Sequence, residues 1–174
     1  APESGDFFGR LVRWDPVHQR MMYYQQGGPA AGLYGFDYAN KRWTLYDSYT
    51  PTTAWLSTHG TWDDRAHKFV IVMTNATAHT AQWLLYDPAR TGPSAWTDIT
   101  AAAPTDAKAL CVSWQGMARP CFSGSLAFDT ANQRTIVLTQ DDLNGSLQGG
   151  LLALWAYTAP LPNARTFSNV SASA

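Results

Sequence analysis

The sequence predicts an all-β protein made of three four-stranded antiparallel sheets. One pattern of residues recurs three times along the chain: an aromatic residue and an aspartate, a polar turn, an apolar run, and further short runs that contain aromatic residues. Turn-forming pairs such as Asp-Pro, Gly-Gly and Asn-Lys separate these runs. No long segment has the hydrophobic periodicity of an amphipathic helix. Four short strands per repeat, joined by tight turns, indicate an antiparallel meander.

Each repeat is marked by an aromatic residue followed by aspartate. These pairs are Trp14-Asp15, Trp62-Asp63 and Phe128-Asp129. They define repeats over about 9–53, 54–104 and 122–168, within a single domain of residues 1–174. The first two pairs are 48 residues apart, which is the spacing of four-stranded propeller blades. We therefore expect the three sheets to be arranged as blades.

The first repeat shows the expected strands most clearly. Its apolar runs predict strands over Leu11–Trp14, Met21–Gln25, Leu33–Phe36 and Trp43–Tyr46. The aspartate after each marker aromatic is expected to accept backbone N–H bonds in a turn. The marker aromatic itself is expected to fill the space between neighbouring sheets.

Composition excludes two classes of partner. Only 14% of the 174 residues are charged, against about 25% in an ordinary soluble domain, and the net charge is −1. Such a chain has no basic stripe for a phosphate backbone, so nucleic acid is not an expected partner. The longest apolar run, Leu151 to Tyr157, is far shorter than the ~20 residues of a transmembrane helix. No membrane span is predicted.

The two cysteines predict an oxidising compartment. Cys111 and Cys121 lie in the segment 105–121, which connects the second and third repeats. A disulfide between them would close this loop and stabilise it by roughly 3 kcal/mol. Two unrelated reduced thiols are the alternative.

Other features also favour a secreted, extracellular protein. The chain opens with Ala1-Pro2-Glu3, as a mature N-terminus does after signal removal, although an arbitrary starting point would look the same. Three Asn-X-Ser/Thr sequons, at Asn75, Asn144 and Asn169, are candidate glycosylation sites.

The repeats resemble kelch repeats, which form the blades of β-propellers. A kelch repeat has a Gly-Gly pair, an aromatic residue, a Tyr-Asp-Pro motif and a tryptophan about six residues beyond it. The matching residues here are Gly27-Gly28, Tyr34, Phe36-Asp37, Trp43, Tyr86-Asp87-Pro88 and Trp96. The Gly-Gly pair is missing in the second repeat and displaced to Gly149-Gly150 in the third, which ends in Phe167 instead of tryptophan. The resemblance implies a secreted propeller scaffold.

No catalytic motif is present, and no cofactor is predicted. His18 and His67 follow the aromatic-aspartate pairs at positions that we interpret as equivalent, which favours a structural role for both. Copper chemistry of the galactose oxidase type would need a cysteine that is not already in a disulfide. Asp141, Asp142 and Asn144 resemble part of a calcium loop, but the bidentate acid is missing, so a plain acidic turn is favoured.

The sequence favours a secreted, non-enzymatic recognition module that binds carbohydrate or an extracellular protein. Aromatic residues predicted in loops are the candidate ligand contacts: Tyr49, Trp55, Trp83 and Trp114. A structural subunit of an extracellular assembly or filament is the first alternative. A secreted oxidase or hydrolase of the kelch-propeller type is the second.

Three repeats are too few for a closed propeller, which typically has four to eight blades. The first and last sheets would each leave an apolar face in water, so we expect the chain to associate with itself. A two-fold dimer with six blades is the favoured solution, and an open filament is the alternative. A third option is that the missing blades come from another chain.

Overall fold

The computed structural model describes residues 10–25, 29–51, 58–75, 80–103, 110–112, 118–120, 125–140, 152–158 and 166–169. Within these ranges the chain forms three four-stranded antiparallel sheets and one two-stranded sheet. In each four-stranded sheet the strands lie side by side in chain order. The predicted all-β class with small antiparallel meanders is therefore confirmed.

Sheet 1 consists of β1 (Arg10–Asp15), β2 (Arg20–Gln25), β3 (Gly32–Asp37) and β4 (Arg42–Asp47). Each of these strands agrees with its predicted run to within one residue at either end. A register shift between Leu33 and Tyr34 places a bulge where β3 meets β4. Bulges of this kind re-aim side chains, and here the shift lies at the edge of the sheet.

Sheet 2 consists of β5 (Thr58–Asp63), β6 (Lys68–Asn75), β7 (Thr80–Tyr86) and the short β8 (Trp96–Asp98). A 3-10 turn at Gly92–Ala95 precedes β8. A second 3-10 turn at Thr100–Ala102 follows it.

Sheet 3 consists of β11 (Ser125–Asp129), β12 (Arg134–Gln140), β13 (Leu152–Thr158) and β14 (Thr166–Asn169). Before it, β9 (Leu110–Val112) and β10 (Ala118–Pro120) pair as a small antiparallel hairpin. The sequence predicted only a loop in this segment. Three-residue strands carry too little hydrophobic pattern to be recognised in advance.

One turn design closes four of the hairpins. The first strand ends in aspartate, three residues follow, and the fourth loop residue has a left-handed backbone with φ between 49° and 52°. The carboxylate accepts the N–H groups two and three residues on, as for Asp15, Asp37, Asp63 and Asp129. The left-handed residues are Gln19, Lys41, His67 and Gln133. The predicted role of the aspartates is confirmed, because carboxylate oxygens near a turn satisfy N–H groups that the ladder leaves free.

The three large sheets pack face against face in chain order. One cluster of buried residues joins sheet 1 to sheet 2, and it includes Met22, Tyr24, Phe69 and Ile71. The strand β5 also contacts both β1 and β11, so the first strands of the three sheets are neighbours. Sheet 2 is therefore covered on both sides.

The other cluster joins sheet 2 to sheet 3. It includes Val70, Val72, Trp83 and Val137. Because side chains alternate along a strand, Phe69 and Ile71 of β6 pack against sheet 1, and Val70 and Val72 pack against sheet 3. All of Phe69 to Met73 is fully buried, which explains the unbroken apolar run.

We call the face that a sheet turns towards the next sheet along the chain its forward face, and the opposite face its backward face. Met22 and Val70 lie on the forward faces of sheets 1 and 2. Ile71 and Val137 lie on the backward faces of sheets 2 and 3.

The part of the chain that the structure describes contains no helix with the length and apolar character of a membrane span.

Candidate functional site

Among the sheets that the structure describes, none packs against the backward face of sheet 1. The strand register places Val12, Trp14, Tyr23, Tyr34 and Leu45 together on this face. Trp14 is 48% exposed, Leu45 46% and Val12 42%, and all three project from regular strands. Isolated exposed apolar residues are ordinary, but several on one sheet face form a patch that usually marks an interaction surface.

Aromatic rings pack against one another on this face. The ring of Tyr23 packs against those of Tyr34 and Trp43, with centroids 5.9 and 5.6 Å apart. Phe36 makes edge contacts with Trp43 at 5.2 Å and with Tyr38 at 5.0 Å. Tilted and edge-on pairs at these distances are the geometries that aromatic rings prefer. These contacts define the arrangement of the rings on this face.

The hydroxyl groups on this face are directed back into the protein. The hydroxyl of Tyr34 donates to the carbonyl oxygen of Ala30 at 2.7 Å, and that of Tyr23 donates to Gln25 Oε1 at 3.4 Å. The exposed side chains on this face are those of Trp14, Val12 and Leu45, which are mostly apolar. Such a surface suits an apolar partner better than a highly polar one.

The repeat explains why the face is apolar. Tyr23 corresponds to Ile71 of sheet 2 and to Val137 of sheet 3, since each pairs at the same register position in its sheet. Ile71 and Val137 are fully buried against the preceding sheet. The backward face of sheet 1 thus has the character of an internal surface, although no preceding sheet covers it.

Trp14 corrects one prediction. The marker aromatics were expected in the core between sheets, and Trp62 does pack against the cluster between sheets 1 and 2. Trp14 occupies the same strand position but lies on the outer face, about half exposed. The prediction was wrong for Trp14 because burial at this position requires a preceding sheet.

A second cluster, made of polar groups, lies at one end of the interface between sheets 1 and 2. The fully buried carboxylate of Asp15 contacts Nδ1 of His18 at 2.7 Å. Arg20 lies 4.1 Å above the ring of Tyr46, whose hydroxyl is 2.9 Å from the hydroxyl of Tyr86. These contacts tie the first hairpin to the edge of sheet 1 and to sheet 2.

Gly35 makes room for this arrangement. A Cβ atom at Gly35 would lie 2.7 Å from the guanidinium of Arg20, so only glycine lets the cation lie flat here. Burial raises the pKa of Tyr46 to about 12, and it raises that of Tyr86 as well. Neither phenol ionises near neutral pH, so the pair offers a hydrogen bond and no general base. The cluster is a structural connection between two sheets.

Arg13 and His59 connect the first strands of sheets 1 and 2. Arg13 Nε donates to the carbonyl oxygen of Gly60 at 2.7 Å. Burial lowers the pKa of His59, and the positive charge of Arg13 lowers it further. The imidazole of His59 is thus held neutral at physiological pH.

The two predicted ligand contacts that the structure describes, Tyr49 and Trp83, do not form one exposed surface. Trp83 is fully buried between sheets 2 and 3, so no ligand can reach its ring, and we remove it from the candidates. Tyr49 is partly buried, and its N–H donates to Asp47 Oδ1 at 2.9 Å. Trp55 and Trp114 lie outside the described residues.

The remaining predicted sites are only partly within the described residues. Cys111 lies in β9, and Cys121 lies outside, so the disulfide stays a prediction. Asn75 is the last residue of β6 and Asn169 the last of β14, at strand ends. The third sequon and the calcium candidate, namely Asn144, Asp141 and Asp142, lie outside the described residues.

The two turn histidines are not equivalent, contrary to the interpretation from the sequence. His18 follows Asp15 by three residues and bonds to it, whereas His67 is the left-handed fourth loop residue, in the position of Gln19. The sequence has one residue more between Asp63 and His67 than between Asp15 and His18, which is the signal that was overlooked. In the part of the chain that the structure describes, no three His, Cys, Asp or Glu residues are grouped as a metal site would need.

Comparison with known proteins does not identify a relative of this chain. No family model, no curated protein and no solved structure matches the chain.

Proposed function

We propose that this chain is a non-enzymatic module that binds protein through the backward face of its first sheet. The observation that carries the proposal is the exposure of Trp14, Val12 and Leu45 on a regular sheet face. The equivalent faces of sheets 2 and 3 are buried by a neighbouring sheet. A surface built like an internal one gains most from being covered by another protein surface.

The scaffold is a β-propeller segment with blades of the kelch type. Three features support this: the sheets are meanders in chain order, their first strands are neighbours, and equivalent faces pack in the same direction at both interfaces. In this scaffold the role of the chain is recognition or assembly, and the exposed sheet is where a further sheet or a partner would pack. An extracellular location is supported by sequons at the strand ends Asn75 and Asn169.

Carbohydrate binding is the weaker form of the recognition hypothesis. Trp14 and Tyr38 present rings on which a sugar could stack, since they are 48% and 54% exposed. Sugars also need many hydrogen-bonding groups, and those of Tyr23 and Tyr34 are directed into the protein. We therefore favour a protein surface as the ligand.

The test compares two variants that add the same charge at different places. Trp14→Glu changes the exposed face, and Val17→Glu changes a residue that is 45% exposed but lies in the turn after β1. The probe is an anilinonaphthalene sulfonate dye, which binds exposed apolar patches, at the lowest protein concentration that gives a signal. We expect Trp14→Glu to lose most of the dye fluorescence and Val17→Glu to retain it.

Two outcomes would contradict the proposal. Equal dye binding by both variants and by the unmodified chain, at a concentration where light scattering gives the mass of one chain, would show that the face is not an accessible apolar surface. Glycan-array binding that is lost in Trp14→Glu and kept in Val17→Glu would replace the protein ligand with a carbohydrate.

A further inference from the structure

The two end sheets of this chain expose complementary faces. On the backward face of sheet 1, Trp14 is 48% exposed, and no described sheet packs against this face. On the forward face of sheet 3, Ala127 is exposed and Ile136 is half-buried, and no described sheet packs against this face either. Inside the chain, forward and backward faces pack together twice, first between sheets 1 and 2 and again between sheets 2 and 3. The exposed pair is thus of the same kind as the pair that forms both internal interfaces.

Equivalent residues are less buried where no described sheet packs against their face. On the forward faces, Met22 and Val70 are fully buried, whereas Ile136 at the same position is only partly buried and Ala127 beside it is exposed. The small side chain of Ala156, on the other side of Ile136, is fully buried. On the backward faces, Phe69 and Thr135 are fully buried, whereas the equivalent Met21 is only partly buried.

The aspartates that close the equivalent hairpins of the three sheets also differ in burial. The side chains of Asp15 and Asp63 are buried, because the following sheet covers the hairpins that they close. Thr135 of sheet 3 even donates its hydroxyl to Asp63 at 3.2 Å. Asp129 closes the equivalent hairpin of sheet 3, but its side chain is 23% exposed. A fourth sheet in the place of the next repeat would cover it.

We propose that the occupant of the sheet 1 surface is a second copy of this chain, which packs the forward face of its sheet 3 against it. The relation is head to tail, so two copies related by a two-fold axis make this contact twice and leave neither end exposed. The resulting ring has six sheets, within the range of closed propellers. This inference rests on the proposed function and names its partner.

The primary test is the mass in solution, measured by light scattering and by sedimentation at micromolar concentration. We expect twice the 19.1 kDa of one chain. Trp14→Glu and Ile136→Glu should each weaken the dimer by more than about thirtyfold, the loss typical of a central interface residue. Val17→Glu, in the turn after β1, should leave it unchanged. If Ile136→Glu does not fold, Ala127→Glu takes its place, because Ala127 is exposed on the same face.

Mixing the two disrupted variants distinguishes a head-to-tail contact from a symmetric one. Ile136→Glu retains an intact sheet 1 surface, and Trp14→Glu retains an intact sheet 3 surface, so a mixture restores one good contact. We expect a heterodimer in the mixture that neither variant forms alone at the same concentration. A dimer that is lost in Trp14→Glu but unaffected by Ile136→Glu would overturn the proposal, since two sheet 1 surfaces would then face each other.

Other results would also overturn it, and they separate this inference from the proposed function. A monomer whose Trp14 is reactive towards hydroxyl radicals contradicts the second copy but leaves the binding face in place. A monomer whose Trp14 is protected contradicts both; restored reactivity after removal of residues 1–9 would identify that segment as the occupant. Polymers that grow with concentration would replace the closed ring with a filament.

Discussion

Replacing Asp63 by alanine should destabilise the protein more than the same change at any equivalent exposed hairpin. Asp63 is fully buried, and its carboxylate accepts the N–H groups of Arg65 and Ala66 at 3.0 and 2.9 Å. It also accepts the hydroxyl of Thr135 from the neighbouring sheet at 3.2 Å. Asp129 closes an equivalent hairpin with two backbone bonds of 3.1 Å each, and it also accepts from Asn132 Nδ2 at 2.7 Å and from Arg134 Nε at 3.4 Å. It is partly exposed, however, so water can replace these bonds when the carboxylate is removed.

The expected magnitude follows from these partners. Loss of a carboxylate that caps turn N–H groups costs about 1 kcal/mol, by analogy with helix capping. A buried hydroxyl left without its acceptor adds about 1–3 kcal/mol. Burial raises the pKa of Asp63, so removing the buried charge recovers part of this cost. We expect a loss of about 2–3 kcal/mol for Asp63→Ala and about 1 kcal/mol for Asp129→Ala.

Urea unfolding monitored by tryptophan fluorescence gives the comparison, provided that the slope of the free energy with urea is the same for all variants. Thr135→Val removes the hydroxyl alone, and the double variant Asp63→Ala/Thr135→Val should cost less than the sum of the two. A loss for Asp63→Ala no larger than that for Asp129→Ala would refute the argument. The link between the sheets would then contribute nothing.

Three further changes have defined expectations. Gln133→Gly should raise the free energy of unfolding by about 0.5–1 kcal/mol, because Gln133 has φ 52° and glycine adopts this backbone without strain; thermal unfolding measures it. Tyr46→Phe should lower the free energy of unfolding by about 1–2 kcal/mol, because it leaves the buried hydroxyl of Tyr86 without its partner at 2.9 Å. Adding Tyr86→Phe should cost little more, and an additive urea series would contradict this bond. The pKa of folded His59 is lowered by burial and by Arg13, so the unfolded chain binds a proton more readily below its ordinary pKa of about 6.5. The stability that neutral His59 contributes is therefore complete above that pH and is lost as the pH falls towards the folded pKa; urea midpoints of the unmodified chain should fall over this window more steeply than those of His59→Gln.

The strands of sheet 1 could be predicted from the sequence to within one residue. Their signals are local, since two of the three strand connections have an aspartate at the end of one strand and an arginine at the start of the next, namely Asp15 with Arg20 and Asp37 with Arg42. Alternation of side chains and turn chemistry need no knowledge of distant residues. The three repeats could be predicted from the same local signals.

Burial of individual aromatics could not be predicted in this way. Trp14 and Trp62 occupy equivalent positions in the pattern, and only the presence of a preceding sheet distinguishes the exposed one from the packed one. Trp83 was predicted to be a ligand contact because aromatic residues near turns are often exposed. It is buried because sheet 2 is covered on both faces, and an apolar strand between two sheets has no polar side to reveal its orientation.

Because β6 is apolar on both sides, it also has the composition of an aggregation-prone segment. The run from Phe69 to Met73 is a continuous stretch of high β-propensity without charge, which is the composition of segments that form cross-β aggregates. Sheets 1 and 3 cover this run and prevent it from pairing with other chains. Its protection from aggregation therefore depends on residues that are distant in the sequence. Opening either interface would expose one entire side of this strand. Within β6 the run is flanked by Lys68 at the start of the strand and by Thr74 and Asn75 at its end, at positions where polar and charged residues limit the growth of such aggregates.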